Sequence, residues 1–359
     1  MRCLVRALIA VLAVLALTPT PARARLELAP GFTAQVYVTG AGFAPGGADT
    51  PGIPSAASLA IDDAGVLYVA RSGRRYATGE QEDLSPLYRF PPGGARLTPA
   101  TEARFQHGPP LPNPQVGGIW RGRDVLVTTF DRERRVGALY RVTGGRVEYI
   151  AGGAAATADE EPVLRQPEGV VVDPAGTIHV ADRRSGRVVG FDGDGRIRVP
   201  RAFGVSRPRL LAREPDGTLW VGADGEGDAP WQRGTGEIWR VQQGDGSLVL
   251  RGPVPVGLAV VGPGRLLVAD RQEAELFVLD RDGSRHRFVK FSDGDAPRAV
   301  AFVPVTPETT RAGIAGDLFV IVITRGAWPV NEVIRISGPF DRLGGERGAA
   351  PPQPPPPPR

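Results

Sequence analysis

Residues Pro167 to Phe191 read Pro-Glu-Gly-Val-Val-Val-Asp-Pro-Ala-Gly-Thr-Ile-His-Val-Ala-Asp-Arg-Arg-Ser-Gly-Arg-Val-Val-Gly-Phe. Three short apolar runs, Val170–Val172, Ile178–Val180 and Val188–Phe191, are separated by Asp-Pro-Ala-Gly and Asp-Arg-Arg-Ser-Gly. Gly tolerates positive φ and Pro pre-sets φ, so both separators are turn formers. Short β-branched runs bounded by such turns predict consecutive strands of an antiparallel meander. One meander has two faces to bury and nothing to bury them against.

The chain meets that need by repetition. Second strands are read at Val66–Ala70, Asp124–Thr128, Thr177–Ala181, Thr218–Gly222, Arg265–Ala269 and Asp317–Ile321. Third strands are read at Pro86–Phe90, Ala138–Val142, Arg187–Phe191, Glu237–Val241, Glu275–Leu279 and Glu332–Ile336. Their centres lie about 40 to 57 residues apart, the period of a propeller blade. Radial packing buries both faces of each blade against its neighbours. The expected fold is all-β, a six-bladed β-propeller. Its last copy runs from Ile336 straight into Ser-Gly-Pro, which leaves it without a fourth strand. The unpaired strand Phe32–Val38 is therefore expected to close the last blade.

Composition agrees with this. In 359 residues, 48 Gly and 36 Pro supply the turns, and 42% hydrophobic residues suffice for a core. Arg2 and Arg6 precede the apolar run Ala7–Leu17, and Ala22-Arg23-Ala24 has the small-x-small form of a signal peptidase site. Residues 1–24 are thus expected to be a signal peptide, 25–343 the propeller, and 344–359 a disordered, proline-rich tail. The protein is expected to be periplasmic or extracellular, with no membrane anchor after cleavage. Cleavage removes Cys3, the one cysteine, and three arginines, leaving the mature chain close to neutral. No basic stripe interleaved with aromatics remains, so nucleic acid is not an expected partner.

Pro167–Asp182 resembles an NHL repeat, and Pro255–Val260 with Leu266–Asp270 is a second copy. The wider frame resembles the soluble quinoprotein glucose/sorbosone dehydrogenase superfamily. That resemblance is carried by Leu28–Tyr37, by Leu219–Asp228 with Gly236–Val241, and by Asp295-Ala-Pro, Gly316–Val320 and Val333–Ile336. It implies pyrroloquinoline quinone and calcium as cofactors, with oxidation of a sugar or aldehyde at an axial funnel. Members that oxidise sugars carry a catalytic histidine near the start of a blade. No blade here begins with one.

Each innermost strand should start at the funnel mouth, with the residue after the proline facing it. Ala57, Gln115, Glu168, Arg209, Val256 and Arg298 hold that position. Gln115, Glu168, Arg209 and Arg298 would suit a sugar-like or anionic ligand, since guanidinium grips carboxylate as a fork. The other reading makes Glu168 a structural plug paired with an arginine. Asp224, Glu226 and Asp228 are spaced as the start of a calcium loop, against the alternative of an ordinary Asp/Gly loop. Asp192-Gly-Asp-Gly195 is read as a hairpin turn. His107, in the linker before blade two, could overhang the mouth as a general base, whereas His179 is read as an interblade core residue. Three functions stay open: a quinoprotein dehydrogenase with the quinone held in the funnel by Arg209 and Arg298, a non-catalytic NHL-type propeller binding a ligand or a protein on its loop face, and a metal-dependent lactonase using Glu168.

Overall fold

The computed structural model describes residues 26–43, 52–71, 84–155, 160–199, 204–227, 233–324 and 330–343. The signal segment and the proline-rich tail lie outside these residues.

Six inner strands surround one axis: Ala56–Ile61, Gln115–Trp120, Pro167–Val172, Pro208–Arg213, Pro255–Gly262 and Ala296–Phe302. Each packs on the inner strand of the next blade, and the last packs on the first, so the ring is closed. The expected second and third strands follow outward in antiparallel register. Alternation explains the burial. Successive side chains point to opposite faces, and both faces meet neighbouring blades. The apolar residues accordingly gather into six clusters, one in each interblade seam.

Pro-x-Gly is shaped by the axis. A Cβ on Gly169 would lie 2.7 Å from the Arg209 carbonyl oxygen, and one on Gly257 would lie 2.8 Å from the Val300 nitrogen. Only glycine lets adjacent inner strands approach so closely. The aspartate of Val-Ala-Asp has its own task. Asp182 accepts from the Arg165 and Gln166 amides at 2.9 and 2.7 Å, bracing the chain as it turns into the inner strand. Asp270 does the same for Val254, Gln272 and Glu273.

The seam is broader than the sequence suggests. Thr33–Gly40 pairs antiparallel with Val330–Ser337, Val36 facing Ile334, as expected for the closing strand. Two additions were not anticipated. Leu26–Leu28 joins the outer edge of blade 5 against Val289–Phe291. Ala95–Leu97 leaves blade 1 and pairs in parallel with Val38–Gly40 in blade 6. Blade 1 is therefore a three-stranded sheet rather than four-stranded, its outer edge met by isolated bridges at Leu111 and Gln106.

Candidate functional site

Each inner strand begins at one face of the ring and ends at the other, where it turns into the second strand. At the starting face the ladder skips. Pro167 opposes Asp182 but Val170 opposes Val180, and Pro208 opposes Ala223 but Leu210 opposes Gly222. Such bulges release residues from regular pairing and re-aim them. Glu168 and Arg209 are two of the released residues.

They meet in one ion cluster across blades 3 and 4. The fully buried Asp224 holds two guanidiniums, with Arg183 Nε 2.7 Å from Oδ2 and Arg209 Nε 3.1 Å from Oδ1. Arg183 also lies 4.0 Å from the Glu168 carboxylate, which accepts from Gln166 Nε2 at 3.2 Å. Arg209 reaches on to the Pro255 carbonyl of blade 5. Thr128 of blade 2 donates to the Glu168 backbone carbonyl at 2.6 Å. Burial raises the Glu168 pKa, the two arginines oppose that rise, and Asp224 adds to it. Two acids and two bases thus compensate one another at the mouth. The structure brings together Glu168 and Arg209 of the expected set. Gln115 and Arg298 hold the matching places on the inner strands of blades 2 and 6.

Arg183 and the role of Asp224 escaped the sequence reading. A signal was present, since arginine follows Val-Ala-Asp at both Arg183 and Arg271.

Of the three calcium-loop residues, Asp224 and Glu226 are described. Asp224 is turned inward and neutralised by two arginines, which repel a cation, while Glu226 is exposed. Asp228 lies outside the described residues. Among the described residues no group of three or more His, Cys, Asp or Glu gathers as a metal site. Asp192–Gly195 is a hairpin turn, with Asp192 Oδ1 accepting from the Asp194 and Arg196 amides.

His107 is not at the mouth. It lines a cavity of about 930 Å3 beside the turns Asp62–Ala64 and Arg121–Arg123, on the opposite face of the ring. Its ring lies 5.3 Å from Tyr68, and burial and Arg89 lower its pKa. His179 sits in the interblade position read for it, half-buried, with Nε2 3.2 Å from Asp173 Oδ2. The same six-residue step joins Tyr68 to Asp62 and Trp220 to Glu214, at 3.1 and 2.8 Å. An acid ending the inner strand thus anchors an aromatic of the second strand in three blades. That is a packing role.

The cluster does not fit pyrroloquinoline quinone with calcium. A quinone tricarboxylate would have to draw the Arg183 and Arg209 guanidiniums away from a fully buried aspartate. It would also approach the Glu168 carboxyl. No described histidine lies in the cluster.

Residues 164–191 match the NHL repeat family model. Comparison with curated proteins gave no match. Among solved structures, the chain is similar to an auxiliary nutrient binding protein from Bacteroides ovatus, with 10% identity, 87% of this chain and 77% of that one covered, and a TM-score of 0.56. It is also similar to a gluconolactonase from Xanthomonas campestris, with 16% identity, 89% and 100% covered, and a TM-score of 0.51. A third is the PQQ-bound aldose sugar dehydrogenase from Streptomyces coelicolor, with 12% identity, 87% and 99% covered, and a TM-score of 0.50. At these identities the likeness is one of fold. The chain is a six-bladed β-propeller containing an NHL repeat.

Proposed function

We propose that this is a non-catalytic, NHL-type propeller that binds an uncharged, hydroxylated small molecule at the funnel mouth. The observation that carries this reading is Asp224 seated between Arg183 and Arg209. With both guanidiniums engaged internally, the mouth offers little net charge to an anion. What remains is directional: the Glu168 carboxyl and the Gln115 amide. Such groups exchange hydrogen bonds with sugar-like hydroxyls, and buried polar groups left unpaired penalise ligands that lack them. The ligand's carbohydrate character and its uptake from outside the cell both belong to this proposal.

The test is a titration of the mature protein with neutral sugars and their sugar acids, followed by thermal shift and calorimetry at two salt concentrations. Saturable, salt-insensitive binding of a neutral sugar is expected, weakened at least about tenfold by Glu168→Ala, since a hydrogen bond to a charged group contributes about 1.5–3 kcal/mol. Tighter, salt-sensitive binding of the acids would overturn the proposal. So would dye reduction with quinone and calcium, or metal-dependent lactone hydrolysis abolished by EDTA.

A further inference from the structure

The far-face cavity is built differently from the mouth. It is framed by turns from two blades, tied where the Asp63 amide donates to the Gly122 carbonyl at 3.0 Å. Its volume of about 930 Å3 lies near the top of the 300–1,000 Å3 range common for small-molecule sites. One amino acid would leave much of it empty. A short chain of them would not.

Asp62 and Glu308 of its lining are engaged, the first by Tyr68 and the second by Arg311, but other charges are unspent. Arg123 and Asp124 both line the cavity, and neither side chain has a hydrogen-bond or ion-pair partner among the described residues. Arg121 lies over the Trp120 ring at 5.5 Å and forms no ion pair with a described carboxylate. Asp63, exposed on the neighbouring blade's turn with its carboxylate against Gly122, has no ion-pair partner there either. At the mouth the opposite charges cancel one another. Here guanidiniums and carboxylates of both signs face one space without joining.

The floor is neutral and polar. His107 is buried, its ring against Tyr68 and with no side-chain hydrogen bond or ion pair among the described residues. The same desolvation and the neighbouring Arg89 keep it uncharged near neutral pH. A neutral imidazole has one N–H donor and one lone-pair acceptor. A peptide group needs the complementary pair.

We infer that this cavity is a binding site for a short peptide with free termini, its carboxylate on Arg121 and Arg123, its ammonium on Asp63 and Asp124, and a peptide group over His107. Arginine's planar fork matches a carboxylate in two-point contact, which favours that end as the anchor. The mixed lining also disfavours a compact dianion such as phosphate, because the carboxylates of Asp63, Asp124 and Glu308 line the same cavity.

The test is calorimetric titration of the full mature chain with tri-alanine and with a random tripeptide mixture. The same titrations are run with N-acetylated and C-amidated forms, with inorganic phosphate as the anion control. Saturable binding of the free-ended peptide is expected, weakened at least tenfold by either blocking group. Arg123→Ala should reproduce the loss from amidation, and Asp124→Asn the loss from acetylation. Arg123 lies on the surface turn and Asp124 opens the strand after it, partly exposed, and matched melting curves establish that the variants fold. Glu168→Ala at the mouth should leave peptide binding unchanged, which separates this site from the one proposed above. No heat with either free-ended preparation would overturn the inference. So would equal affinity for blocked and free forms, phosphate binding tighter than peptide, or indifference to Arg123→Ala.

Discussion

Arg183, just after the second strand of blade 3, places its Nε 2.7 Å from Oδ2 of Asp224, just after the second strand of blade 4, and Arg209 lies 3.1 Å from the other oxygen. One fully buried carboxylate thereby joins two blades beside the axis. Removing one member of a buried pair costs about 3–5 kcal/mol, because the remaining charge stays desolvated. Asp224→Ala strands two guanidiniums and is expected in that range by urea denaturation. Arg183→Ala leaves Asp224 with Arg209 and should cost less. Equal and small losses, below about 1 kcal/mol as for a surface pair, would show that water reaches the cluster.

The Val-Ala-Asp aspartates give a second prediction. Asp270→Ala removes the acceptor for three backbone amides, at 3.2, 2.9 and 3.4 Å. Each buried donor left without an acceptor costs about 1–3 kcal/mol. A loss of at least that size is expected by thermal denaturation, and Asp270→Asn should recover part of it through its side-chain carbonyl.

One buried and one half-buried histidine set an acid limit. Burial lowers the pKa of both His107 and His179, with Arg89 adding to the first and Asp173 opposing the second. Below an unfolded value of about 6.5, the unfolded chain takes up protons that the fold refuses. Stability is thus fully present above that pH and falls as pH drops through it towards the folded values. Melting temperature between pH 7.5 and 5 reads this out, and His107→Gln should flatten part of the slope. An unchanged slope would place the proton uptake elsewhere.

Two valines two residues apart test the seam. Val38 is fully buried against blades 6 and 1, whereas Val36 is 36% exposed. Val38→Asp is expected to destabilise the ring severely, with faster amide exchange through Val330–Ser337. Val36→Asp should be nearly neutral. Comparable effects of the two would contradict the strand's register.

The blades were legible because a strand with two buried faces leaves a long apolar signature, repeated six times between turn formers. The closing strand followed by subtraction, since one copy lacked a fourth strand. Leu26–Leu28 and Ala95–Leu97 left no such mark: three residues carry too little pattern to name a partner, and the second pairs away from its own blade. The mouth was half legible. Position along the repeat put Glu168 and Arg209 at the axis, but spacing alone could not show that Asp224 turns inward while Glu226 faces water. The linker before blade 2 has no repeat register to fix its path, and His107 was accordingly assigned to the wrong face.

Thr39 donates to Glu332 at 2.6 Å, a bond spanning 293 positions of the chain. Contacts of such long range must form against the entropy of everything between them, and they slow folding. The closing strand Thr33–Gly40 must therefore wait, edge unmatched, until the strand Val330–Ser337 has been made. Refolding rate should depend on the completeness of the C-terminal strand far more than on any single blade in the middle, and a chain cut short there would be caught with an adhesive margin showing.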